Sequence, residues 1–257
     1  MLVAKRKFQI LQFLAEEGFI EAAMLARRLG TSEATIRRDL TALGREGAVQ
    51  RTRGGALPVS GPAILPFGER ELRNPNEKRA IAERAAALVQ DGETIIIDGG
   101  TTTSQMVRPL LNRQVQVITN SIPVAQALGN SRSVEVVMTG GWVYPRSGIL
   151  LGPHAVASLR TMRARRAFIS AAGIDRQGIS NTNALVVETE LAIIGAADEV
   201  NVLADHSKLC RRGMSFLCGL ERIARLITDA AASQEFLRFV RDQGIEVLQA
   251  GGGGDIR

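Results

Sequence analysis

Residues 31–56 read TSEATIRRDLTALGREGAVQRTRGGA, and the first fifth of the chain can be folded outward from them. Ser32 is a suitable N-cap, its hydroxyl placed to accept from the first turn of a helix. From there Ile36, Leu40 and Leu43 recur at helical spacing and define a buried face. Upstream, Ala22, Leu25, Ala26 and Leu29 give a second apolar stripe over residues 21–29. Gly30-Thr31 between them is a tight turn, because glycine takes positive φ without strain. Two short helices joined by such a turn make a helix-turn-helix. A stripe of Phe8, Ile10, Leu11, Phe13 and Leu14, ended by Gly18, adds a helix in front. After Gly47, the alternation of Val49, Arg51 and Arg53 ahead of a glycine pair predicts a short basic hairpin, or wing.

The outer face of the predicted second helix of this motif is polar and basic: Ser32, Glu33, Thr35, Arg37 and Arg38. In helix-turn-helix proteins the start of that helix enters the major groove. Thr35, Arg37 and Arg38 are then placed for base edges and phosphates, and Arg51 and Arg53 for the DNA backbone. The alternative for the arginines is a solvated face paired with Glu33 or Asp39. Charge favours the nucleic acid. Residues 1–57 hold ten Lys and Arg against six Asp and Glu, which is +4 of the chain's +6.

The same stretch resembles the N-terminal signature of the DeoR family of bacterial transcriptional repressors. The resemblance rests on Ser32, Thr35, Ile36, Arg37, Arg38, Asp39, Leu40, Leu43, Gly47, Arg51, Gly54, Gly55 and Ala56. Many members carry His before the glycine pair, where this chain has Arg53; the change keeps a hydrogen-bond donor.

Composition excludes other classes. The chain has 257 residues, enough for one or two domains, with 45% hydrophobic and 23% charged residues, as expected of a globular protein. No apolar run of transmembrane length occurs, and Glu16 and Glu17 stand where a signal peptide would be cleaved. A cytoplasmic protein with no membrane association is expected. Two cysteines without a CxxC and two distant histidines leave little for a disulfide scaffold, a metal site or a hydrolase triad. Aromatic residues at 4% argue against base-stacking platforms. Neither a metal nor a cofactor is expected.

Residues 58–76, with Pro58, Pro62, Pro66, Pro75, Gly61 and Gly68, read as a semi-rigid linker. Residues 77–250 then alternate helices with apolar runs at 94–98, 115–119, 134–138, 167–170, 200–204, 225–228 and 245–248. Buried strands between helices predict an α/β domain with a mostly parallel sheet. AGGGGDIR at the end reads as a disordered tail over 251–257.

Ligands of such sheets bind beyond the carboxyl ends of the strands. Asp98-Gly99-Gly100-Thr101-Thr102-Thr103 joins a strand to a helix there, and free amides with three hydroxyls suit a phosphate. It lacks the lysine of a P-loop, which disfavours nucleotide hydrolysis. Asn120 and Ser121, Gly140 and Gly141, Gly173 and Lys208 fall near other strand ends. Lys208 suits an anion, and Glu188 suits sugar hydroxyls or, alternatively, a helix N-terminus. The DeoR resemblance extends over residues 5–248 and implies an effector domain akin to ribose-5-phosphate isomerase and glucosamine-6-phosphate deaminase. It implies a phosphorylated sugar on Gly99–Thr103, with Asn120, Gly140, Gly141, Glu188 and Lys208 around it. The chain departs from the family at Ala192, where members commonly have Lys. The expectation is a repressor of a carbohydrate operon that binds double-stranded operator DNA as a homodimer or homotetramer. A sugar-phosphate isomerase or deaminase with an accessory domain is the alternative.

Overall fold

The computed structural model describes residues 3–17, 19–45, 48–58 and 67–251. The expected features at Gly18, Gly47, Gly61, Pro62, Pro66 and the tail lie outside them, as does the side chain of Phe8.

The N-terminal unit runs α1 (Val3–Glu17), β1 (Ile20–Glu21), α2 (Ala22–Arg28), α3 (Glu33–Arg45), β2 (Val49–Arg51) and β3 (Gly55–Pro58). Ile10, Leu14, Leu25, Ile36, Leu40 and Leu43 are each at most 2% exposed and form one core. At about 1.5–3 kcal/mol per buried side chain, such a core suffices to hold three short helices together. The wing carries an element the alternation did not announce. β1 pairs with β3, so the sheet order is β1-β3-β2.

The C-terminal unit begins with α4 (Phe67–Glu71) and α5 (Pro75–Ala86). α4 and the first two residues of α5 fall in the stretch that reads as linker, while the rest of α5 lies where helical spacing resumes. The difference has a local cause: Pro75 occupies the first turn of α5, where its missing N–H costs nothing and its fixed φ favours the helix. There follow β4 (Thr94–Ile97), a 3-10 turn over Thr103–Met106, α6 (Val107–Leu110), β5 (Val115–Thr119), α7 (Ile122–Leu128) and β6 (Val134–Met138). A hairpin of β7 (Trp142–Tyr144) and β8 (Ile149–Leu151) leads to α8 (Pro153–Thr161) and β9 (Ala164–Ser170). β10 (Gly173–Asp175), β11 (Gly178–Asn181), α9 (Ala184–Gly195), β12 (Ala197–Leu203) and β13 (Ser215–Cys218) come next. β14 (Arg225–Asp229), α10 (Gln234–Asp242) and β15 (Glu246–Ala250) complete the chain.

Seven strands form one sheet in the order β15-β14-β12-β9-β4-β5-β6, and every pairing in it is parallel. Successive residues of the central strands enter different cores. Ile95, Ile97, Val117, Phe168, Leu203 and Ile227 pack with α5, α6 and α7. Ile96, Ile118, Ile169, Val202 and Leu226 pack with α8, α9 and α10. Burial on both faces is why these strands read as continuous apolar runs. The β7–β8 hairpin and the three-stranded sheet of β10, β11 and β13 are too short to leave a periodic signal.

Candidate nucleic-acid interface and ligand site

α3 presents its polar face outward. Ser32 Oγ accepts from the Thr35 amide at 3.2 Å and lies 2.8 Å from Thr35 Oγ1, so the cap and the first turn are locked together. Arg37 and Arg38 are exposed and, with Thr41, Ala42 and Arg45, line a shallow groove along the helix. Arg37 donates to Glu33 Oε1 at 2.5 Å, an exposed i,i+4 pair that water and a phosphate easily displace. Asp39 is not on that face. It is 5% exposed and takes a two-pronged bond from Arg6 of α1, Nε to Oδ2 at 2.5 Å and Nη2 to Oδ1 at 3.2 Å. Arg51 of the wing leans back on α3 and donates to Thr41 Oγ1 at 3.0 Å, while Arg53 is exposed at the hairpin tip.

In the second unit the strand ends converge as expected, but not every residue has the expected job. Asp98 follows β4 and is 2% exposed. Asn120, after β5, donates from Nδ2 to Asp98 Oδ1 and accepts the Gly99 amide on Oδ1, both at 3.0 Å. Thr103 Oγ1 accepts the Gly100 amide at 2.9 Å and donates to the Asp98 carbonyl at 2.7 Å, so its hydroxyl is committed to the loop. The amides of Thr101 and Thr102 have no hydrogen-bond partner among the described residues. Ser121 Oγ accepts the Val124 amide at 3.3 Å and caps α7. The glycines are set by packing. A Cβ on Gly99 would overlap Ile149 Cγ2, one on Gly100 the Ser170 hydroxyl, and one on Gly173 the Arg211 carbonyl. Gly141, at φ +119°, would bring a Cβ to 2.6 Å from the Leu151 carbonyl oxygen; Gly140, at φ +68°, is open.

The carboxylate that joins this cluster is Glu190, not Glu188. Two residues along a helix turn about 200°, so the two glutamates of α9 face opposite ways. Glu188 is exposed, whereas Glu190 is 1% exposed, accepts from Asn181 Nδ2 and lies beside Asp98. Burial raises the pKa of Asp98, and burial together with the neighbouring Asp98 charge raises that of Glu190 well above the usual carboxyl range. Burial and the neighbouring carboxyl thus favour the protonated form of both acids. Ala192 lies partly buried against the α9 core.

Lys208 stands half-buried after β12, beside Asp205. Desolvation lowers its pKa, and Asp205 partly offsets that shift. Arg70, in the proline-rich stretch, and Lys78, just after it in α5, share its surroundings and were not singled out from the sequence; Lys78, 3% exposed, donates to the Arg70 carbonyl. A helical spacing of Ile81 with Lys78 was the available signal.

A DeoR-like helix-turn-helix domain matches residues 6–60, and a DeoR C-terminal sensor domain matches residues 73–230. The chain belongs to the DeoR family. It is 34% identical over 249 residues to the uncharacterized HTH-type transcriptional regulator YulB of Bacillus subtilis, covering 96% of each chain. To the HTH-type transcriptional regulator UlaR of Shigella flexneri it is 31% identical, covering 97% of this chain and 100% of that one. Ribose 5-phosphate isomerase A of Methanocaldococcus jannaschii aligns over 53% of this chain and 55% of its own at 21% identity, TM-score 0.40. The eIF2B delta structure from Chaetomium thermophilum aligns over 77% and 63% at 16% identity, TM-score 0.45. This DeoR-family chain is thus a DNA-binding transcriptional regulator rather than an enzyme, with operator DNA and a small-molecule effector as partners. Among the described residues, no helix is long and apolar enough to cross a membrane.

Proposed function

We propose that this regulator represses a carbohydrate catabolic operon and is controlled by a phosphorylated sugar or a related metabolite. The observation that carries the reading is the pair of unpartnered Thr101 and Thr102 amides at the carboxyl end of the parallel sheet, on the same rim as Lys208. Backbone amides and an ammonium suit a phosphate. Asp98, Asn120 and Glu190 form the floor that fixes the loop, and Gly140 and Gly141 lie after β6 on the same rim. Ser32, Thr35, Arg37 and Arg38 read the operator, with Arg51 and Arg53 against its backbone. The chain binds as a homodimer or homotetramer, since helix-turn-helix proteins commonly pair on repeated half-sites. The test is a thermal-shift screen of phosphorylated sugars against their dephosphorylated counterparts, followed by operator binding with each hit. A ligand at about 100 times its Kd stabilises by about 2.7 kcal/mol. Silence across the panel from protein that still binds its promoter would sink the sugar-phosphate reading.

A further inference from the structure

The side chain of Arg51 does not follow its own strand. Its backbone closes β2 opposite the fully buried Ala56 of β3, so the small sheet fixes where the chain runs. From there the side chain turns onto α3. Its Cγ and Cδ pass 3.5 and 3.6 Å from where a Cβ on Gly44 would stand, and its Nη1 donates to Thr41 Oγ1 at 3.0 Å. Gly44 and Thr41 are three residues apart and so share one side of the helix. The stem of Arg51 thus lies over a residue with no side chain, and its head lies one turn nearer Arg37 and Arg38.

Thr41 offers a hydroxyl of fixed direction. Its Oγ1 donates to the Arg37 carbonyl at 2.7 Å, the i−4 bond open to threonine within a helix. A hydroxyl has one proton and two lone pairs. With the proton committed to the helix, a lone pair is left for the wing. The same residue lines the groove along α3 with Arg37, Arg38, Ala42 and Arg45. A fourth guanidinium is therefore held where three already stand, and the group that holds it is neutral. Among the described residues, Arg51 has no carboxylate partner. A carboxylate anchor would cancel charge that a duplex calls for, whereas a hydroxyl fixes the geometry and leaves the charge whole.

We propose that Thr41 is a positioning residue for DNA binding. It holds the Arg51 guanidinium against α3, so that wing and recognition helix meet the duplex backbone as one preassembled face. This rests on the reading of Arg51 as a backbone contact. Ordering a long side chain before the duplex arrives removes that cost from binding.

The experiment uses the full chain and two duplexes of equal length, one enriched by wild type from a random-sequence pool and one unrelated to it. Affinities are read by fluorescence anisotropy over a salt series. Arg51→Ala is expected to weaken binding to both duplexes and to reduce the salt slope by about 1. Thr41→Val keeps the shape and loses the hydroxyl. It should weaken both by about fivefold, the scale of ordering one long side chain, with the slope unchanged. Thr41→Ser should bind like wild type. In an Arg51→Ala background, Thr41→Val should cost nothing more, because Thr41 acts only through Arg51. A loss as large without Arg51 as with it overturns the proposal, whether Thr41 then touches DNA itself or supports α3. So does Thr41→Val binding as tightly as wild type. If Arg51→Ala binds both duplexes like wild type, the reading of Arg51 as a DNA contact falls, and the proposal with it.

Discussion

Asp98 and Glu190 meet carboxyl to carboxyl under the Thr101–Thr103 loop, each at most 2% exposed, one from a strand end and the other from α9. Glu190 Oε1 accepts from Asn181 and its buried Oε2 has no hydrogen-bond partner among the described residues, while Asp98 accepts from Asn120, which holds the Gly99 amide. Burial and their mutual proximity favour a bound proton on these acids.

That proton has a pH signature. The folded pKa of Glu190 is raised, so the folded state binds a proton that the unfolded chain gives up near the ordinary glutamate value. The stability it contributes is complete below about pH 4 and is lost as pH rises through the raised value. Glu190→Gln mimics the protonated acid. It should melt higher than wild type at about pH 8 and flatten the decline above about pH 5 in calorimetric scans. Glu190→Ala should melt lower than both, because it leaves Asp98 buried without its partner.

Asp39 belongs to the family signature but serves the core. Asp39→Ala removes the carboxylate that takes the two-pronged bond of the Arg6 guanidinium, which is 8% exposed. The expected cost is about 3–5 kcal/mol to the DNA-binding unit, read as a lowered transition in scanning calorimetry. Arg6→Met with Asp39→Leu should recover most of it.

Arg38 is exposed beside the groove along α3, away from that ion pair. Arg38→Ala should weaken operator binding, leave the melting temperature unchanged, and reduce the salt slope by about 1 if it meets a phosphate. Fluorescence anisotropy over a salt series decides it; unchanged affinity and slope would mean another face of α3 meets the DNA.

Gly99→Ala tests whether this glycine is set by packing. Its new methyl meets Ile149, so overpacking of about 1–3 kcal/mol is expected. Adding Ile149→Ala should restore part of the lost stability in a denaturant titration. No rescue would assign the glycine to ligand approach instead.

The helix-turn-helix and the parallel order were legible because both depend on periodicity. Ile36, Leu40 and Leu43 announce α3, and Ile95 to Ile97 announce a strand buried on both faces. What escaped were features fixed by tertiary contact. Glu188 and Glu190 are alike in sequence, and only the start of α9 at Ala184 decides which turns inward. β1 is two residues long and exists through its pairing with β3. Pro75 looked like a breaker and proved to be a first-turn residue.

The β1 pairing has a consequence for how DNA is met. A Cβ on Gly55 would overlap the Ile20 carbonyl oxygen, while Arg51 and Arg53 on the same hairpin are exposed. Placement of the wing is thus written in one glycine, a two-residue strand and the Arg51–Thr41 contact, while Arg53 at the tip has no recorded part in it among the described residues. The hairpin is preorganised before the duplex arrives, so association should show little of the heat-capacity loss that accompanies folding on binding. Affinity for the duplex can then be tuned at position 53 without reshaping the hairpin that carries it.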